Sequence, residues 1–112
     1  MSKELKDYGI QEIEVKNQYH KSKKKLFKIG IKEVSEFEYE ILKYLFEHKN
    51  SFVLREDVIV IRKQFYRNPS KMRNVAPEIS RIISILNKTF QELEIPFEIL
   101  SANGKVGLFV NQ

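Results

Sequence analysis

The sequence contains no cysteine, so neither a disulfide framework nor a thiolate zinc site can be built from it. Long apolar runs are missing too. The longest aliphatic stretch is Val58 to Ile61, far below the roughly 18 residues a membrane helix needs, so no membrane partner is expected. Only four glycines occur, and none belongs to a phosphate-cradling loop or a nucleophile elbow. Glu36, Glu38 and Glu40 alternate along one predicted helix, where capping and solubility account for them. His20 and His48 lie in separate elements without ligand spacing. No enzyme, cofactor or metal site is expected. The N-terminal MSKELKDYGI has no apolar segment behind its lysines, so export is not expected and a cytoplasmic location is.

Acid is also absent from two long stretches. Val15 to Lys32 holds seven lysines and no carboxylate, and Val58 to Pro77 holds Arg62, Lys63, Arg67, Lys71 and Arg73 with none. The acids gather instead between Glu33 and Glu47 and at Glu92, Glu94 and Glu98. With a net charge of +5 and a pI near 9.4, this segregation makes a dipolar surface whose positive zone attracts polyanions.

What is present fits one domain: 112 residues suffice for a modest core, with residues 1–9 as a tail and residues 10–112 as the folded unit. Residues 10–16 and 25–31 read as short strands, the second burying Phe27, Ile29 and Ile31, joined by a lysine-rich hairpin loop over residues 17–24. Ser35 and Glu38 form the capping box of a helix over residues 36–48, with Val34 and Tyr39 as a hydrophobic staple. That helix buries Phe37, Ile41, Leu42, Leu45 and Phe46. Phe52 to Leu54 is a short extended piece, and a second helix follows over residues 55–66, with Asp57 favouring its start.

Proline is tolerated in a first helical turn, so Pro77 sets the start of a third helix near Asn74, a good N-cap, and the helix runs to about residue 93. Val75, Ile79, Ile82, Leu86, Phe90 and Leu93, widened by Ile83, form its buried stripe. The other face carries Asn74, Glu78, Arg81, Ser84, Ile85 and Lys88. Pro96 ends the helical region, and Asn103-Gly104 marks a two-residue hairpin turn inside residues 97–110. Phe27, Phe37, Leu45, Phe65, Ile79, Leu86, Phe90 and Phe109 are the expected core.

Three helices followed by a β-hairpin is the winged-helix plan, an α+β fold, and the motifs in their order resemble the effector domains of OmpR/PhoB-type response regulators. VSEFEYEILKYL is similar to that family's first helix, LTxxEFxLLxxL. FVLREDVI resembles VVSREELL, and RNVAPEISRII resembles the recognition-helix pattern RTVDVHISRLR through Arg73, Val75, Ile79, Ser80 and Arg81. FEILSANGKVGLFV resembles the wing, IxTVRGxGYxL, with Gly107 on the last glycine. The chain departs from the pattern at Ile83, where the family usually has a DNA-contacting arginine. It departs again at Ala76 and Pro77, at Leu54 in place of a capping serine, and at Leu108 in place of the wing tyrosine.

The resemblance implies a transcription regulator that binds double-stranded DNA, its third helix in the major groove and its hairpin as the wing. Arg73, Asn74, Glu78 and Arg81 then face base edges, where arginine suits guanine, asparagine adenine, and a carboxylate the cytosine amine. Arg62, Lys63, Arg67, Lys71 and Lys88 neutralise phosphates, with Lys105 reaching out from the wing tip. The alternative is a protein-interaction or dimerisation module on the same fold. Its partner would be RNA polymerase, a larger regulator or a second copy, and exposed Ile83 and Ile85 together with Glu78 on the reading face suggest it.

Overall fold

The computed structural model describes residues 3–16, 23–64 and 75–111. A short 3-10 turn, Leu5–Tyr8, leads into β1 (Ile10–Lys16), β2 (Lys23–Ile29) and β3 (Lys32–Val34). The chain continues through α1 (Glu36–Glu47), β4 (Phe52–Leu54), α2 (Arg55–Lys63), α3 (Val75–Glu92), β5 (Phe97–Ala102) and β6 (Lys105–Val110). Two three-stranded antiparallel sheets, in the orders β1-β2-β3 and β4-β6-β5, pack with the helices in an α+β arrangement. Among the described residues no helix is long and apolar enough to cross a membrane.

The first sheet corrects the sequence reading at one end. Strand β2 stops at Ile29, the chain turns at Gly30 and Ile31, and β3 returns alongside β2 with Phe27 opposite Val34. Ile31 was expected on the buried face; it sits in that turn and is 89% exposed, whereas Phe27 and Ile29 are buried. A turn interrupts the period-two alternation, so extending it past residue 29 points the wrong side chain inward. The predicted β1–β2 hairpin forms, with Ile10 opposite Ile29 and Lys16 opposite Lys23; its loop, residues 17–22, lies outside the described residues. Residues 3–9, expected as a tail, contribute Leu5 to the core, and the Tyr8 ring lies 4.5 Å from Phe97 and 6.1 Å from Phe46.

The helices follow their apolar spacing. Ser35 Oγ accepts the Glu38 amide at 3.2 Å, one of the two bonds of the expected capping box, and α1 starts at Glu36. Its Ile41, Leu42, Leu45 and Phe46 meet Val58 of α2 and Ile79, Ile82, Ile83, Leu86 and Phe90 of α3 in one core. Phe37 is partly buried against that core, and Phe65 and Tyr66 lie outside the described residues. Pro77 falls within the first turn of α3, where the missing amide hydrogen has no helical partner to lose.

The second sheet closes the core from the far side. Asn103 and Gly104 both have positive φ, +50° and +74°, as a two-residue turn matched to strand twist requires. Glycine supplies the second of these at no steric cost. Strand β4 pairs with β6, placing Leu54 opposite Lys105. Asn87 of α3 both donates to the Ile99 carbonyl (2.9 Å) and accepts the Ile99 amide (2.8 Å), fixing helix against hairpin.

Candidate nucleic-acid interface

The outward side of α3 is set by what its inward side buries. With Ile79, Ile82, Ile83, Leu86 and Phe90 turned to the core, Arg81, Ser84 and Lys88 are exposed on the opposite face. Seven residues separate Arg81 from Lys88, so their backbones stand about 10 Å apart along the axis. Glu78 is half-buried and engaged within the chain. Ile85 borders the exposed face at 49%.

A single arginine joins this helix to the hairpin tip. Arg55 opens α2, and its amide donates to the Gly104 carbonyl at 2.9 Å. Its guanidinium reaches Ser101 Oγ of β5 at 3.2 Å and Ser80 Oγ of α3 at 2.6 Å. Three donors of one residue thus hold the hairpin tip beside the N-terminal half of α3. Arg81 and Lys105 each directly follow a residue that Arg55 grips, and both side chains are exposed.

At the other end of α3, Lys32 Nζ donates to Glu92 Oε2 at 2.6 Å. This hydrogen bond, with the lysine charge behind it, holds the Glu92 carboxyl below its ordinary range; nearby Lys88 acts in the same direction. Glu92, one turn beyond Lys88, is therefore matched by a lysine within the protein.

Four of the ten residues expected at a DNA interface, Glu78, Arg81, Lys88 and Lys105, have described side chains. The latter three share exposure; Glu78 does not stand fully free on that face. Arg62 and Lys63 have backbones within α2 but side chains outside the described set, and Arg67, Lys71, Arg73 and Asn74 lie wholly outside it. The expected exposure of Ile83 is corrected: it is 8% exposed and belongs to the core, because it lies only 40° around the helix from Ile79 at ~100° per residue.

Sequence reasoning overlooked Arg55, Ser80 and Ser101 as a unit. The residues were visible inside the resembling motifs, but their convergence spans three elements and no local spacing encodes it. The hairpin also carries apolar surface that reasoning missed: Phe52, Leu54 and Leu100, each between 42% and 52% exposed, lie on the sheet's outer face. Among the described residues no cluster of histidines and carboxylates could hold a metal ion, and His48 packs against the Tyr44 ring at 4.8 Å.

No protein-family model matches this chain, and no curated protein matches it.

Proposed function

We propose that this chain is a winged-helix domain that binds double-stranded DNA and regulates transcription in the cytoplasm. The supporting observation is the Arg55 junction, which sets the hairpin tip beside the N-terminal half of α3 while Arg81, Lys88 and Lys105 face outward. In this reading α3 enters the major groove and Arg81 forks onto a guanine edge. Lys88 and Lys105 meet phosphates, which add affinity without sequence information. The segment entering α3 adds Arg67, Lys71 and Arg73, with no acid between residues 64 and 74.

Selection of bound duplexes from a random pool, followed by a salt titration, tests this. Replacing Arg81 with Ala is expected to cost about 1–3 kcal/mol and relax preference at one base pair. The Arg73→Ala, Arg81→Ala double variant should lose most specific binding. Absence of duplex binding at low salt, or normal binding by the double variant, rejects the proposal.

A second reading, a protein-interaction module gripping RNA polymerase or a second copy, draws on different residues than the sequence suggested. Ile83 no longer supports it, but exposed Ile85, Phe52, Leu54 and Leu100 do. Light scattering separates the two: a dimer with α3 mutually buried excludes groove entry by that face.

A further inference from the structure

Among the described residues β1 pairs with β2 alone, which makes it an edge strand. The Gly30 amide donates to the Gly9 carbonyl at 2.8 Å, and the two residues stand opposite each other in the register that continues through Ile10–Ile29. Hydrogen-bonded pairs alternate along an antiparallel ladder, so residues 9, 11, 13 and 15 bond to β2. Ile10 and Glu12 therefore direct their amides and carbonyls away from β2, toward the open edge.

Beside that edge runs a groove of about 620 Å³. It is lined by Ile10, Gln11 and Glu12 of β1, by Tyr39, Lys43, Phe46 and Glu47 of α1, and by Glu4, Leu5 and Lys6. Consecutive strand residues point to opposite faces of a sheet. Ile10, Gln11 and Glu12 can all line one groove only if it follows the strand's edge rather than a face. The arrangement, an unpaired strand edge facing a helix across an apolar floor, is what an added strand needs: main-chain bonds from the edge and side-chain contacts from the helix.

Charge selects the occupant. In a protein of net charge +5, residues 3–16 and α1 together carry Glu4, Asp7, Glu12, Glu14, Glu36, Glu38, Glu40 and Glu47 against Lys3, Lys6, Lys16 and Lys43. Glu4 and Glu12 hold exposed pairs with Lys6 (3.2 Å) and Lys25 (3.1 Å), and such pairs are weak enough for an incoming cation to replace. A second copy fits poorly in the register centred on Ile13, where antiparallel self-pairing of β1 sets Glu12 against Glu14 twice. We infer that the groove between β1 and α1 takes an extended, lysine-rich peptide segment of a protein partner as an added strand on the edge of β1. This stands apart from duplex binding, which draws on α3 and the β5–β6 hairpin.

The test uses the whole chain and a labelled peptide of about eight residues alternating lysine with valine and threonine. Fluorescence anisotropy should show binding that weakens with salt, and amide exchange should slow at Ile10 and Glu12. Glu12→Pro removes an edge-facing amide while leaving the β1–β2 ladder its donors, and should weaken binding about tenfold or more. Glu12→Gln, which keeps that amide, should change it by less than about threefold. Should the proline variant fail to fold, peptides N-methylated on alternate residues put the same question to the wild-type chain: one phase should lose binding and the other keep it. The inference is overturned if the peptide does not bind at low salt, or if folded Glu12→Pro binds it unchanged. Equal binding by both methylation phases, or by a peptide with glutamate in place of lysine, overturns it as well. So does a dimer of the chain alone whose Ile10 and Glu12 amides are protected, since a second copy would then own the edge.

Discussion

Arg55 does by itself what no neighbouring residue repeats, reaching β5, α3 and the hairpin turn from one position. Removing its guanidinium in Arg55→Met keeps the apolar stem but leaves Ser80 and Ser101 without that donor. Urea denaturation should show a loss of about 1–3 kcal/mol. On the proposed reading, duplex affinity measured on the folded variant should fall further than stability alone explains, because the hairpin tip is no longer held beside α3. Glu92 offers a test of electrostatics. Its folded carboxyl titrates below the ordinary range because of Lys32, so its contribution is present above that range and lost as pH falls through the folded value. Carbon-detected NMR titration should return Glu92 toward ordinary behaviour in Lys32→Met; an unchanged midpoint would sink the assignment. At this scale the sequence was uneven. Exposure of Arg81, Lys88 and Lys105 followed from spacing and turn position. Arg55, Ser80 and Ser101 did not, because partners 25 and 46 residues away are set by tertiary packing.

Elements were more legible than single side chains. A stripe recurring every three to four residues defines α3 whatever its neighbours, and Ile79, Leu86 and Phe90 are each at most 1% exposed, as that stripe required. Phe90 also meets Phe97 edge-on at 5.3 Å, joining α3 to β5. Phe90→Ala should therefore cost about 3–5 kcal/mol, read from the shift in urea midpoint. The hairpin makes a different demand at Gly107, where an added Cβ would lie 2.6 Å from the Ser51 carbonyl oxygen. Gly107→Ala should push β4 from β6 and lower the melting temperature, whereas Ala at exposed Ser84 should not. Strand β3 escaped the sequence reading because its Lys32, Glu33 and Val34 include one apolar residue, unlike the Phe52–Leu54 strand of equal length. The 3-10 turn, four residues long, is too short to show a helical stripe.

Across the whole molecule, charge segregation along the sequence becomes a division of surface. The N-terminal strand, the 3-10 turn and α1 hold seven of the fifteen carboxylates, while the outward side of α3 and the hairpin tip carry Arg81, Lys88 and Lys105. On the proposed reading, the logarithm of duplex affinity should fall linearly with the logarithm of salt concentration, and Lys88→Ala should flatten that slope by about 1 without altering sequence preference. A slope unaffected by Lys88→Ala would remove that lysine from the phosphate contacts.

The tilted ring contact of Tyr8 with Phe97 has a practical corollary for instrumenting the protein. Phe97 pairs with Val110, so Tyr8 and Val110 both lie at the base of the β5–β6 hairpin. The turn at Asn103 and Gly104 stands roughly 17 Å farther along the strands. A fluorophore or surface tether at Lys3, whose Nζ lies 5.5 Å from the Tyr8 ring, or at exposed Asn111 would sit at that base rather than at the tip, and on the proposed reading the two attachment points should report the same duplex affinity.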